Sequence, residues 1–231
     1  MIEIKDLKKS FNGLTAIDVE SLNMNKGELI GLVGNNGAGK TTLMRLMLDL
    51  LKADSGYVTI DGEDVSKGEK WKNITGSFLD SGFLIDFYTP DELLDFICDA
   101  YKIDKTLRTE YKEPFKQLFT DELWGSKKYI STLSSGNKQK VGIASAIISH
   151  PDVIILDEPF NFLDPSSQVE VHRLLKAEAK RGALVIVSSH SISQISNLCS
   201  RVLLMEKSKI LKDIDNSNGE AETVLATYFN V

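Results

Sequence analysis

The chain has 231 residues, 42% hydrophobic and 26% charged, with five prolines and no long biased tract, which excludes a disordered protein and suffices for a sizeable α/β core. Its formal net charge of -6 excludes a chain-wide basic footprint for nucleic acid, so no nucleic-acid partner is expected beyond a local patch. No uncharged apolar run is long enough to span a bilayer, and the opening MIEIKDLKKSF alternates like a strand instead of reading as a secretory leader. Cys98 and Cys199 stand in apolar or helical surroundings without metal-ligand spacing, as free thiols of a reducing compartment do.

From Ile2 to Asp64 the chain reads as short strands, IEIKDL, AIDVESLNM, ELIGLVG and YVTIDG, divided by Gly, Asn and Asp turn signals. One helix interrupts them. After Lys40, TTLMRLMLDLLK carries apolar residues at helical spacing and is expected to run to a stop at Ala53-Asp54-Ser55-Gly56. Between about Asp80 and Ser131 the pattern turns helical, and TPDELLDFICDAY offers a Thr-Pro start with acids in the first turn. Next come a helix, KQKVGIASAIIS, a strand, VIIL, a helix near SSQVEVHRLLKAEAKR and a strand, ALVIVSS; this alternation predicts a parallel sheet. RVLLMEKSKILKDID predicts a β hairpin and EAETVLATYF a terminal amphipathic helix.

The segment ELIGLVGNNGAGKTT sets Gly34, Asn35, Asn36, Gly37, Ala38, Gly39, Lys40 and Thr41 in the Walker A pattern between an apolar strand and a helix. Glycines let the loop curl so that successive N–H groups face one anion, and the helix start adds positive dipole. Lys40 is expected to reach the β and γ phosphates of ATP, Thr41 to ligate Mg2+, and Thr42 to support the α-phosphate side. A glycine turn that merely caps a core helix lacks this Lys-Thr pair. In VIILDEP, four apolar residues run toward Asp157 and Glu158, which emerge at the strand's carboxyl end, where open parallel sheets bind ligands. Asp157 suits the metal shell and Glu158 suits a general base that polarises the attacking water.

Between these motifs, STLSSGNKQKVGIASAIISHP resembles the ATP-binding cassette (ABC) family, with Leu133-Ser134-Ser135-Gly136-Asn137 in the place of its LSGGQ signature. The resemblance runs from Phe11 to His190 and beyond. It implies a P-loop NTPase core with a parallel sheet, an N-terminal antiparallel β subdomain, and an inserted α-helical subdomain over about residues 80–135 of one 1–231 domain. It also implies a head-to-tail homodimer or heterodimer in which Ser134, Ser135 and Gly136 of one copy meet the nucleotide held by the other. Asn161-Phe162-Leu163-Asp164 is similar to the D-loop, with Asp164 near the nucleotide. Ser188-Ser189-His190 is similar to the switch segment, with His190 on the γ-phosphate orienting Glu158. Phe11 takes the place of the adenine-stacking aromatic, while His150 and His172 read as surface residues. Two departures stand out: Asp80 occupies the usual Q-loop glutamine position, as a metal or water contact, and the signature is LSSGN.

The function implied is an ATP-hydrolysing subunit that drives a separate polytopic membrane protein from the inner, cytoplasmic face of the cell membrane. SGFLIDFYTP is a candidate docking groove for that partner, or else part of the chain's own core. Similarity to single-cassette ABC-2-like subunits implies export. Two other readings are a soluble cassette ATPase of translation or DNA maintenance, and an ATP-gated module without turnover.

Overall fold

The computed structural model describes residues 1–119 and 123–229. The chain enters through an antiparallel pair, β1 (Ile2–Phe11) and β2 (Leu14–Met24), drops into β3 (Leu29–Val33), and turns through the glycine loop into α1 (Lys40–Met47). It returns to the first pair as β4 (Ser55–Ile60) and the two-residue β5 (Glu63–Asp64), completing a sheet of order β2-β1-β4-β5. Alternation drives this sheet: Ile2 and Ile4 of β1 and Ile17 and Val19 of β2 are buried on one face, with polar residues between them.

The sequence expectation of a helix running toward Ala53 is corrected, because α1 ends at Met47. Asp49 adopts φ 52, Leu50 N–H donates to Arg45 O at 2.8 Å and Asp49 N–H to Leu46 O at 3.3 Å. This is a Schellman closure made by an aspartate where glycine is usual, so the apolar spacing through Leu51 carried no stop signal.

The second sheet receives β6 (Thr75–Phe78), β7 (Val153–Leu156), β8 (Leu184–Ser189), β9 (Arg201–Glu206) and β10 (Lys209–Asp215), in the order β10-β9-β3-β8-β7-β6. All neighbours are parallel except the edge strand β10, which forms a hairpin with β9 through Lys207 and Ser208, both at positive φ. Both faces are covered. Ile30, Leu32, Ile155, Ile186 and Leu203 face α1 and the antiparallel sheet, while Val33, Ile154, Leu156, Val187 and Leu204 face the other helices. Each such side chain contributes about 1.5–3 kcal/mol by leaving water, which explains why these strands read as unbroken apolar runs.

Helices α2 (Pro90–Ala100) and α3 (Arg108–Lys112) fall in the segment expected to be helical. Thr89 and Glu92 close a capping box at the start of α2. Then follow α4 (Ser135–Ile147), α5 (Pro165–Arg181), α6 (Ile192–Leu198) and α7 (Ala221–Phe229). Leu93, Leu94, Phe115, Leu118 and Ile130 belong to the same core cluster as the sheet face under α4 and α5. Among the described residues, no helix is long and apolar enough to cross a membrane.

Candidate functional site

Because β8 pairs in parallel register with both β3 and β7, the carboxyl ends of these strands lie side by side. The glycine loop leaves β3 at this edge. Gly39 caps α1 at φ 110, where a Cβ would stand 2.7 Å from the Ala16 carbonyl oxygen, so a side chain is excluded on both counts. Lys40 is buried and folds back so that Nζ donates to Gly34 O at 2.6 Å. Residues 35–42, with Ala16, Asp157 and Glu158, line an open cavity of about 240 Å³.

Asp157 N–H donates to Phe78 O at 3.0 Å, extending the ladder one residue past β7. Its buried carboxylate accepts from Thr41 Oγ1 at 2.5 Å and, closely, from Ser188 Oγ. Glu158 follows at φ 46, a left-handed conformation that costs a non-glycine residue roughly 1–3 kcal/mol. Three contacts hold that peptide: Glu158 N–H donates to Ser188 Oγ at 2.8 Å, and Glu158 O accepts from Gln139 Nε2 at 3.1 Å and from Asn161 N–H at 3.2 Å. The Glu158 carboxylate lies 2.9 Å from His190 Nδ1, which donates to it when the carboxyl is ionised, leaving Nε2 as the second functional nitrogen.

Asp80 follows β6 on the other side of the acids. A second open cavity, about 380 Å³, is lined by Asp80, Ser135, Gln139 and Phe162 and shares Asp157 and Glu158 with the first. The Asp80 carboxylate accepts from Gly82 N–H at 2.7 Å and lies 3.9 Å from Arg45. Asp80 does not line the phosphate-loop cavity but shares the second one with Asp157, the acid expected in the metal shell.

Ser134 caps α4, its Oγ accepting from Asn137 N–H at 3.3 Å, and Ser134 and Ser135 are exposed. Neither Ser134 nor Gly136 lines the phosphate-loop cavity of its own chain. Beside them, Phe162 sits at φ 65 with 73% of its surface exposed. Asp164 caps α5: Ser166 Oγ, Ser167 Oγ and Ser167 N–H all donate to it, and these bonds hold its carboxyl below the usual carboxylate range. Its described hydrogen bonds therefore serve the helix start. Phe11 ends β1, 44% exposed, with Lys9 Nζ 5.4 Å from its ring centre, and lies outside the cavity lining.

Two histidines read as plain surface residues are corrected. His150 Nδ1 pairs with buried Glu178 at 2.7 Å, which also binds Arg181. His172 is half-buried against Phe160, ring centres 4.8 Å apart, and burial lowers its pKa. Two residues given no role of their own from sequence join the site. Ser188 does so because β8 lies against β7, and Gln139 because α4 passes beneath Glu158; its only sequence signal was a polar residue on a helix otherwise buried at Val141, Ile143 and Ala144.

A loop of N–H donors with one lysine can hold phosphate oxygens, and the adjacent carboxylate and imidazole can take up and orient a proton. Among the described residues, no three His, Cys, Asp or Glu side chains converge as a metal cage. The Thr41 hydroxyl and Asp157 carboxylate are hard oxygen donors of the kind Mg2+ accepts, few in number, with phosphate and water completing the shell. The donor set fits magnesium.

Sheet order, glycine loop and strand-end acids define the fold of the P-loop NTPases. Residues 17–161 match the family described as ABC transporter. The chain is 34% identical to the uncharacterised ABC transporter ATP-binding protein YhcH of Bacillus subtilis, over 99% of this chain and 74% of that protein. It is also 34% identical to the bacitracin transport ATP-binding protein BcrA of Bacillus licheniformis, covering 93% and 69%. Among solved structures, the ATP-binding subunit of an ABC transporter superposes with TM-score 0.86 at 22% identity, over 100% of this chain and 93% of that one. A dimeric bacterial ABC transporter cassette gives 0.82 at 23%, over 94% and 99%. The chain belongs to the ABC transporter family, as an ATP-binding subunit.

Proposed function

We propose that this chain hydrolyses ATP to ADP and phosphate and couples that reaction to a separate membrane subunit. The observation that carries the reading is the joining of Thr41 and Ser188 on Asp157, and of His190 on Glu158, beside the glycine loop. Loop N–H groups and Lys40 bind the β and γ phosphates, and Thr42 supports the α-phosphate side. Thr41 and Asp157 would hold Mg2+, which neutralises phosphate charge when bound. Glu158 accepts the proton as water oxygen bonds to the γ phosphorus and the bond to ADP breaks; His190 keeps the carboxylate aimed. Phe11, exposed at the end of β1, is free to stack on adenine.

Ser134, Ser135 and Gly136 lie outside their own chain's phosphate cavity and supply donors to the nucleotide of a second cassette, of the same or another chain. Charge-assisted hydrogen bonds of about 1.5–3 kcal/mol each then hold a closed pair that loosens when phosphate leaves. Residues 80–135 form the lobe that meets the membrane subunit at the inner face of the cell membrane. Within SGFLIDFYTP, Phe83 and Phe87 are exposed while Leu84, Ile85 and Tyr88 pack on the core, so both readings of this segment find a share of it. The exposed rings suit an apolar helix of the partner. The names of relatives span bacitracin transport and methionine import.

Glu158→Gln tests the chemistry. ATP binding should be retained and phosphate release should fall at least about 100-fold, as for loss of a general base. Undiminished release from the variant would overturn the assignment.

A further inference from the structure

The aim of the Glu158 carboxylate depends on its own backbone, which stands at φ 46 at the exit of β7. His190 touches only the far end of the side chain. The peptide is held on one side by Ser188, which also binds Asp157, and on the other by Gln139 Nε2 on the carbonyl oxygen. Gln139 differs from Ser188 in what it connects. It is buried in the first half of α4, the helix capped by exposed Ser134, and α4 is fixed in the core by Val141, Ile143, Ala144 and Ile147. Its amide is thus a direct link from the signature helix to the peptide of the acid.

We propose that Gln139 is a positioning residue that ties the start of α4 to the Glu158 peptide, so that the direction of the carboxylate follows the placement of α4. The proposal rests on Glu158 acting as the base. Without the amide, Glu158 O keeps only the Asn161 N–H among the described residues, and a peptide held in a strained region relaxes when a restraint is removed. A carboxylate misplaced by about 1 Å can cost a reaction on the order of 100-fold in rate. Gln139 itself does not line the phosphate-loop cavity, so its loss should leave nucleotide binding in place.

The test uses the full chain, with Gln139→Met as the first variant, an apolar side chain of similar length in the same slot. Turnover at saturating ATP should fall at least about tenfold, while KM for ATP and nucleotide affinity stay within about twofold. In a Glu158→Gln background, Gln139→Met should lower the residual turnover no further. A purely structural role gives a different pattern: a lower melting temperature, weaker ATP binding, and a loss that persists in the Glu158→Gln background. That pattern, or wild-type turnover in Gln139→Met, overturns the proposal. Should Gln139→Met not fold, Gln139→Asn, one methylene too short to reach, must show the same split between kcat and KM, and wild-type kcat there overturns it as well. The reading of Glu158 as base fails by a separate result, undiminished hydrolysis by Glu158→Gln alone.

Discussion

The edge around Asp157 and the capped end of α4 use similar residues, serines and glycines at helix starts, yet differ in enclosure. Lys40, Asp157 and Ser188 are buried and bonded within their own chain. Ser134, Ser135 and Phe162 are exposed. The first region is set in place by parallel strand register; the second is an exposed rim at a helix start.

Four variants probe that contrast. The largest effect is expected from Lys40→Met: ATP affinity of the isolated chain should fall about 10- to 150-fold, the equivalent of ~1.5–3 kcal/mol for a charge-assisted bond. Ser134→Ala, measured in the same titration, should leave that affinity within about twofold, abolish ATP-driven self-association in sedimentation, and cost about 1 kcal/mol of stability as a lost helix cap. A matching loss of affinity in both variants would erase the distinction between the regions.

Phe162→Gly should change stability the other way. A non-glycine residue in left-handed backbone costs roughly 1–2 kcal/mol, partly offset by the greater freedom of glycine in the unfolded chain, so denaturant unfolding should show a net gain of up to ~1 kcal/mol. A clear loss would show that the exposed ring is held by contacts after all.

The smallest effect concerns His172, packed on Phe160 behind the acids. Its pKa is lowered by burial, with Lys176 adding to the effect, whereas in the unfolded chain it titrates near about 6.5. Below that value the unfolded state binds the extra proton and the folded state does not, so stability falls as pH drops through the window. Relative to His172→Leu, wild type should lose on the order of a few tenths of a kcal/mol between about pH 7.5 and 5. An equal change in unfolding free energy between these pH values for wild type and His172→Leu, measured by urea unfolding, would place His172 in solvent.

What the sequence disclosed and what it withheld divide along distance in the chain. The glycine loop and VIILDEP were legible because their chemistry is written in consecutive residues, as were the Thr-Pro helix start at Thr89 and the hairpin over RVLLMEKSKILKDID. Ser188 and Gln139 were not, since their contacts with Glu158 arise from strand register and helix placement 30 and 19 positions away. The early end of α1 was hidden by Asp49 standing where glycine is the usual signal. His172 looked exposed because it stands among the charged residues Glu170, Arg173 and Lys176 of its helix, whereas its contact is Phe160 from another segment.

The loop that is easiest to recognise depends on the β9–β10 hairpin, far from it in sequence. Gly34 packs so closely on the Met205 backbone that a Cβ there would stand 2.3 Å from its carbonyl oxygen, and Ser208 N–H donates to Ala38 O at 3.2 Å while Ser208 Oγ donates to Thr15 O at 2.7 Å. A ribosome making this protein releases the glycine loop well before the β9–β10 hairpin. Contacts of such separation form late. The nascent chain therefore carries its nucleotide motif without the backbone that buttresses it until the β9–β10 hairpin emerges, and competence to bind arrives with that hairpin.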